Sequence, residues 1–176
     1  MSFHELLVTT TISSVVLGGV YTLFDHGLRV HAVGTARVES TQAARAALVR
    51  MSAEIRNAGR GVAWDGSAIV TAEPSRIVIA SDLDADGATT DRGEQITWQL
   101  VGSVLRRNAG AGAQPVANGV STLELRYYDA AGQPTSVPAD VRIVDVALVA
   151  VPSLGGGSLA RGIATRLETR VRLRNR

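Results

Sequence analysis

The 176-residue chain contains no cysteine and no lysine. The lack of cysteine excludes a disulfide framework, a thiolate metal site and a cysteine nucleophile, but it leaves the redox compartment open. All 18 basic residues are arginine and stand against 16 acids, so a pI of about 9.6 accompanies a net charge of only +2. On composition alone, this balance gives little reason to expect a nucleic-acid-binding protein.

Aromatic residues and histidines are also scarce. Two Trp, three Tyr and two Phe are too few to favour a platform on which bases stack. The three histidines all lie within the first 31 residues, and no G-x-S-x-G motif is present. A tethered hydrolase is therefore disfavoured, and we expect no enzyme, although catalysis by carboxylates between Asp82 and Glu94 stays open.

Long apolar runs are absent except near the N-terminus, where 19 residues from Leu6 to Phe24 carry no charge. As a helix they would cover roughly 28 Å of a hydrocarbon core about 30 Å thick. Six hydroxyl residues and the pair Gly18-Gly19 dilute the run, and such small residues suit close contacts between helices. The five preceding residues contain Glu5 and neither Lys nor Arg, which argues against a secretory signal peptide.

The helical pattern continues beyond the apolar run, because no proline precedes Pro74. Ala44, Leu48, Met51 and Ile55 recur at spacings of four, three and four, which predicts one apolar helix face. The helix is expected to end near Gly59. A helix from about residue 2 to residue 58 would be about 85 Å long, so its first half needs lipid or other helices around it.

From residue 60 onward, short β-branched runs alternate with Gly, Pro, Asn and Asp, which is typical of strands and turns. Gly102-Ser103 predicts a hairpin turn. The predicted strands are Ala68–Thr71, Arg76–Ala80, Gln95–Leu100, Val104–Arg107, Leu123–Tyr128, Val141–Val151 and Arg166–Arg174. Residues 109–117, 130–139 and 152–162 are predicted loops.

The predicted fold class is therefore α+β, with a long N-terminal helix packed by its second half on a C-terminal antiparallel β-sheet domain. We divide the chain into an apolar membrane or filament-core helix (1–24), its amphipathic continuation (25–59) and a globular β domain (60–176).

Glu5, at the edge of the uncharged run, has two physical interpretations. Transfer of a carboxylate into lipid costs a few kcal/mol, so Glu5 is expected to have a partner that offsets this cost. Alternatively, it stabilises the N-terminus of the helix, where the macrodipole favours an anion.

An acid at position 5, followed at once by an apolar span, a long Ala/Arg-rich helix and a Gly-rich β domain, resembles the type IV pilin and type II secretion pseudopilin superfamily. The helix end Ile55–Gly59, the segment Gly93–Trp98 and the C-terminal Val171–Arg176 are most similar to W-type minor pilins and J-type pseudopilins. His4 and Thr22 depart from the family pattern, and so does the missing cysteine pair.

The resemblance implies a bacterial filament subunit that has lost its leader peptide, with an N-methylated Met1 as the mature N-terminus. It implies that Glu5 pairs with the terminal amine of a neighbour, and that Gly18 and Gly19 allow the helix to loosen during assembly. The implied partners are other pilin subunits, the inner membrane, a prepilin peptidase and the assembly platform. The implied locations are the inner membrane before assembly and a periplasmic or cell-surface filament afterwards, with a role in secretion, adhesion or related processes.

The segment from Asp82 to Glu94 has five acids and one arginine, a net charge of −4. Aspartates alternate at Asp82, Asp84 and Asp86, and Gly87 follows at the sixth position, as in the first half of an EF-hand calcium loop. The twelfth position is Gly93 instead of Glu, so Asp91 or Glu94 would have to complete the site. The two interpretations are a Ca²⁺ site, the only cofactor we predict, and a solvated acidic turn.

The C-terminal run alternates charged and apolar residues, which predicts a half-buried strand with a basic face. Its anion-binding candidates are Arg170, Arg172, Arg174 and Arg176, and the ligand would be DNA or an anionic surface. The other interpretation is a solvated face that prevents edge-to-edge aggregation.

Two functions of different classes follow from the sequence. The first is a structural filament subunit polymerised through its N-terminal helix. The second is a membrane-tethered periplasmic binding or adhesion domain on a simple anchor. Glu5 discriminates between them, because a mere anchor has no use for an acid at its end.

Overall fold

The computed structural model describes residues 2–63, 66–152 and 164–175. Within these residues one α-helix, α1 (Phe3–Asn57), is followed by eight strands and a short 3₁₀ turn at Pro138–Asp140. The strands are β1 (Ile69–Glu73), β2 (Arg76–Ala80), β3 (Gln95–Val101), β4 (Val104–Asn108), β5 (Gln114–Asn118), β6 (Val120–Tyr128), β7 (Ile143–Ala150) and β8 (Thr165–Arg172).

The chain divides into two compact units, Met1–Ala36 and Arg37–Arg176. The second unit contains the last third of α1 together with both sheets, so the helix and the β domain share one core. The predicted α+β fold class, with the helix packed on an antiparallel sheet domain, is confirmed.

The C-terminal part of α1 packs because one stripe of it is apolar at helical spacing. Its buried residues are Ser40, Ala44, Ala47, Leu48, Met51 and Ile55, which include all four positions that the periodicity predicts. Four of them, Ala47, Leu48, Met51 and Ile55, share a hydrophobic core with residues of both sheets, among them Trp98, Leu105, Val146 and Leu148. Burial of such apolar surface, at about 25 cal/mol per Å², is the main force that holds the helix here.

The first sheet is an antiparallel meander in the order β1-β2-β3-β4-β5. Val101 pairs with Val104 across the two-residue loop Gly102-Ser103, and Gly102 has a φ of +62°, so the predicted hairpin is confirmed. β5 overlaps the end of the predicted loop 109–117, so that loop prediction is wrong for residues 114–117. Pro115 argues against a central strand but is tolerated in β5, which is at the edge of the sheet.

The second sheet has the order β6-β7-β8, again antiparallel. The alternation predicted for the last strand is confirmed, since Arg166, Glu168, Arg170 and Arg172 are exposed while Val171 is buried. The two sheets are joined by hydrogen bonds, including one from the Leu125 N–H to the Pro74 carbonyl at 2.8 Å.

The C-terminal end of α1 is closed by the C-terminal segment of the chain. The Arg174 N–H donates to the Arg56 carbonyl at 3.0 Å, and the Asn175 side-chain amide donates to the carbonyls of Asn57 and Ala58. These bonds satisfy carbonyls that a helix end leaves without partners. Gly59 has a φ of +79°, which confirms the predicted stop.

Candidate functional site

The N-terminal part of α1 exposes its apolar side chains. An 18-residue window of the helix has a mean hydropathy of 1.7, and none of that window is buried. Val15, Leu17 and Leu23 are 70%, 68% and 76% exposed. The helix is long and apolar enough to cross a membrane.

The hydroxyl side chains of this segment bond to the backbone of their own helix. The Thr10 hydroxyl donates to the Leu6 carbonyl at 2.9 Å, and the Thr11 hydroxyl donates to the Leu7 carbonyl at 2.7 Å. Thr9, Ser14 and Thr22 make equivalent bonds one turn back. These internal hydrogen bonds satisfy the hydroxyl groups, and so they lower the free-energy cost of placing the segment in an apolar medium.

Glu5 and Ser2 form a capping box at the start of α1. The Ser2 N–H donates to Oε2 of Glu5 at 2.8 Å, and the Glu5 N–H reaches the Ser2 hydroxyl at 3.4 Å. Sequence reasoning named Glu5 but missed Ser2, although a Ser-x-x-Glu pattern before an apolar run is a recognised signal. Met1, another of the predicted assembly residues, lies outside the described residues.

Gly18 and Gly19 lie within an uninterrupted helix. The pair therefore does not interrupt α1 in the single chain, and loosening during assembly stays a prediction. The cost of two glycines, about 1 kcal/mol each, is too small to break a helix of 55 residues that lacks proline. A Cβ added at either glycine would meet no atom within 4 Å, so nothing in the chain itself requires glycine there.

The acidic loop, which we define as residues 82–94, is organised by two buried carboxylates. Asp82 accepts hydrogen bonds from the N–H groups of Ala85 at 2.6 Å and Gly87 at 3.0 Å. Glu94 accepts from the N–H groups of Leu83 at 2.8 Å and Asp91 at 3.2 Å. Both carboxylates are at most 5% exposed, so they are already committed to holding the loop.

Three carboxylates of the loop come together as the spacing predicts. Oxygen atoms of Asp82, Asp84 and Asp86 lie within 4.8 Å of one another. In the part of the chain that the structure describes, the carboxylates of Asp91 and Glu94 do not join this group. The hydrogen bond from the Asp86 N–H lowers the pKa of Asp84, but desolvation and the neighbouring carboxylates outweigh it and raise the pKa overall. The calcium prediction stays a prediction.

The exposed face of the second sheet carries a ladder of ion pairs around a groove of about 330 Å³. Glu124 accepts from Arg126 at 2.5 Å and from Arg166 at 3.1 Å, and Arg166 also bonds Glu168. The hydrogen bond from Arg126, and to a smaller extent the one from Arg166, lowers the pKa of Glu124. The ladder neutralises most of the charge that this face would otherwise present.

The four predicted anion-binding arginines have different surroundings. Arg170 donates two hydrogen bonds of 2.6 Å to Asp145, which lowers the pKa of that carboxyl, and its guanidinium lies 5.3 Å from the ring centre of Tyr128. Arg172 and Arg174 are exposed and have no acidic partner among the described residues. Arg176 lies outside the described residues.

Glu54 joins α1 to the first sheet, and sequence reasoning missed it. Its carboxylate accepts from Nε1 of Trp98 at 2.8 Å, from Nε of Arg107 at 2.9 Å and from Nε of Arg50 at 3.2 Å. These bonds tie α1 to β3 and β4. The partners are 44 and 53 residues away in the sequence, so no local pattern could have revealed them.

Comparison with protein-family models and with curated proteins found no match.

Proposed function

We propose that the chain is a subunit of a type IV pilus-like or pseudopilus filament. Before assembly the apolar part of α1 holds it in a membrane, and the same segment then polymerises with its copies. The observation that carries the proposal is that no residue in the apolar window of α1 is buried, whereas the apolar stripe of its C-terminal part is. A surface of that kind needs lipid or other helices around it.

Glu5 supports a filament over a simple anchor. Its capping box engages Oε2 with the chain's own Ser2, and Oε1 accepts no hydrogen bond from the described residues. A carboxylate with a free oxygen at the edge of an apolar span favours a cationic partner from outside the chain. A buried ion pair of that kind sets register even where its net stabilisation is small.

The small residues of α1 also favour helix association. Gly18 and Gly19 have open space where a side chain would be, and the neighbouring hydroxyls are satisfied internally. Close packing of helix backbones in an apolar medium uses such small positions. We therefore place the subunit contact on the segment that contains these glycines.

The alternative is a membrane-tethered binding or adhesion domain, which the same exposed helix would serve. Electron microscopy of material sheared from the native host decides between them. The wild-type chain is expected in regular fibres, and Glu5→Leu is expected to keep its membrane level but to lose most of its incorporation. Glu39→Leu is the matched control, because Glu39 is exposed on the same helix.

Fibres lacking the chain, or equal incorporation of Glu5→Leu and wild type, would contradict the filament proposal. Exposure of the apolar segment would then be explained by the tether alone.

A further inference from the structure

The exposed arginines of β8 and its extension fall into two groups. Arg166 and Arg170 are bound to acids on the same sheet face. Arg172 and Arg174 continue the same alternating row but meet no carboxylate in the described part of the chain. Arg172 lies beside Ile143 in the strand register, and Ile143 lies beside Tyr128, so this end of the sheet face has uncharged neighbours.

The second group is joined by an arginine from α1. The Arg174 N–H bonds the Arg56 carbonyl, so the two backbones are in contact, and the Arg56 side chain is exposed. We define Arg56, Arg172 and Arg174 as the arginine end. Three exposed guanidinium groups without acidic partners form a surface that attracts carboxylates.

The same chain carries a matching set of carboxylates. Asp84, Asp86 and Asp91 are exposed in the acidic loop, and no arginine of the described residues forms an ion pair with them. The loop begins beside the end of α1, since the Asp82 N–H bonds the Arg60 carbonyl at 2.8 Å. The two sets thus flank the helix end without pairing in one molecule.

We propose that the arginine end of one copy binds the acidic loop of the next copy. When the two patches of one copy meet complementary patches on two different neighbours, the interface is head-to-tail, can repeat without closing and so suits a filament. Opposite charges favour this docking, and like charges disfavour the loop-to-loop and arginine-to-arginine arrangements. The inference rests on the proposed function and adds a contact between the β domains to the contact between helices.

Cysteine cross-linking tests the contact, because the natural chain contains no cysteine. Ala53→Cys lies one helical turn from Arg56, and Ala88→Cys lies in the acidic loop; both alanines are exposed, and both changes keep every charge. Membranes containing the full-length double variant are oxidised with a chelator present, so that no divalent cation occupies the loop. A ladder of covalent multimers is expected, whereas each single variant can give only dimers.

Charge reversal in the double-cysteine chain supplies the specificity control. Arg172→Asp with Arg174→Asp is expected to reduce the multimer ladder about tenfold or more, because like charges then face each other. Adding Asp84→Arg with Asp86→Arg to the same chain is expected to restore it. These side chains are exposed, so the substitutions spare the core.

Failure of the double variant to exceed dimers would overturn the inference, and so would a ladder that charge reversal leaves unchanged. Either result could occur while fibres still contain the chain, which would leave the proposed function standing. Conversely, the absence of the chain from fibres would be seen by microscopy and not by cross-linking.

Discussion

The two ends of α1 have the same secondary structure but opposite surroundings. Val16 and Leu17 are 57% and 68% exposed, whereas Met51 and Ile55 are fully buried. The C-terminal part is held by the core of its own domain, and the N-terminal part has no such support within its unit. The contrast teaches that one continuous helix combines a segment folded by its own chain with a segment that depends on its surroundings.

Truncating one apolar residue in each part tests whether the two parts of α1 contribute differently to stability. Ile55→Ala is expected to lower the free energy of unfolding by about 2–5 kcal/mol, because it leaves a cavity in a packed core. Val16→Ala is expected to change the stability of the β domain by no more than about 0.5 kcal/mol. Denaturant unfolding of the full chain in detergent, followed by Trp fluorescence, measures both.

Equal effects of the two truncations would contradict the division of α1. Val49→Ala is an exposed control on the packed part, since Val49 is 64% exposed although the buried residues Leu48 and Met51 flank it in the sequence. It is expected to behave like Val16→Ala.

Calcium is expected to stabilise the β domain, which contains the acidic loop, and not the N-terminal part of α1. A cation relieves the repulsion among Asp82, Asp84 and Asp86, and by linkage it adds about 2.7 kcal/mol at a hundredfold excess over its dissociation constant. Thermal unfolding of the full chain in detergent, with calcium or a chelator, measures the gain. Asp84→Asn with Asp86→Asn should abolish it, whereas Asp140→Asn on an exposed turn should not.

Thermal stability that ignores both millimolar calcium and the chelator would leave the acidic loop as a turn held by Asp82 and Glu94.

Removing the charge of Glu54 tests what ties the packed part of α1 to the sheet. Glu54→Gln is expected to lower the free energy of unfolding by about 1–3 kcal/mol, because the partly buried Arg107 guanidinium and the Trp98 N–H lose their shared anionic acceptor. Glu39→Gln, on an exposed part of the helix, is the control and should have little effect. Urea unfolding that gives equal midpoints for the two variants would show that Glu54 contributes no more than a surface acid.

Much of the architecture could be predicted because it depends on local periodicity. The spacing of Met51 and Ile55 predicts the buried helix stripe, and Gly59 predicts where the helix ends. In β8 the alternation of charged and apolar residues predicts which face is exposed. Each of these features is encoded within a few neighbouring residues.

Features that depend on distant pairs were beyond the sequence. The bonds of Glu54 and the closing of the helix end by Asn175 join residues far apart in the chain. β5 was missed for another reason, since Pro115 is read as a breaker until the strand is known to lie at an edge. In the acidic loop the spacing correctly predicts that three aspartates meet, but it does not show that Asp82 is committed to backbone N–H groups.

The smallest expected effect concerns the ion pair between Asp145 and Arg170 on the exposed sheet face. The Arg170 guanidinium holds the pKa of Asp145 below its ordinary value of 3.8. A carboxyl whose pKa is lowered on folding stabilises the folded state at pH values above its unfolded pKa, and the contribution disappears as the pH falls through the folded pKa. Asp145→Asn is therefore expected to lower the thermal midpoint slightly at pH 7, and the difference between variant and wild type should be smaller at pH 2. Asp140→Asn, which removes an exposed acid outside the ladder, is expected to show no such difference between the two pH values.

Calorimetry of the full chain in detergent at both pH values would measure the thermal midpoints of variant and wild type. A difference as large at pH 2 as at pH 7 would mean that packing of Asp145, and not its charge, matters. Salt should narrow the gap at pH 7, because both partners are partly open to solvent.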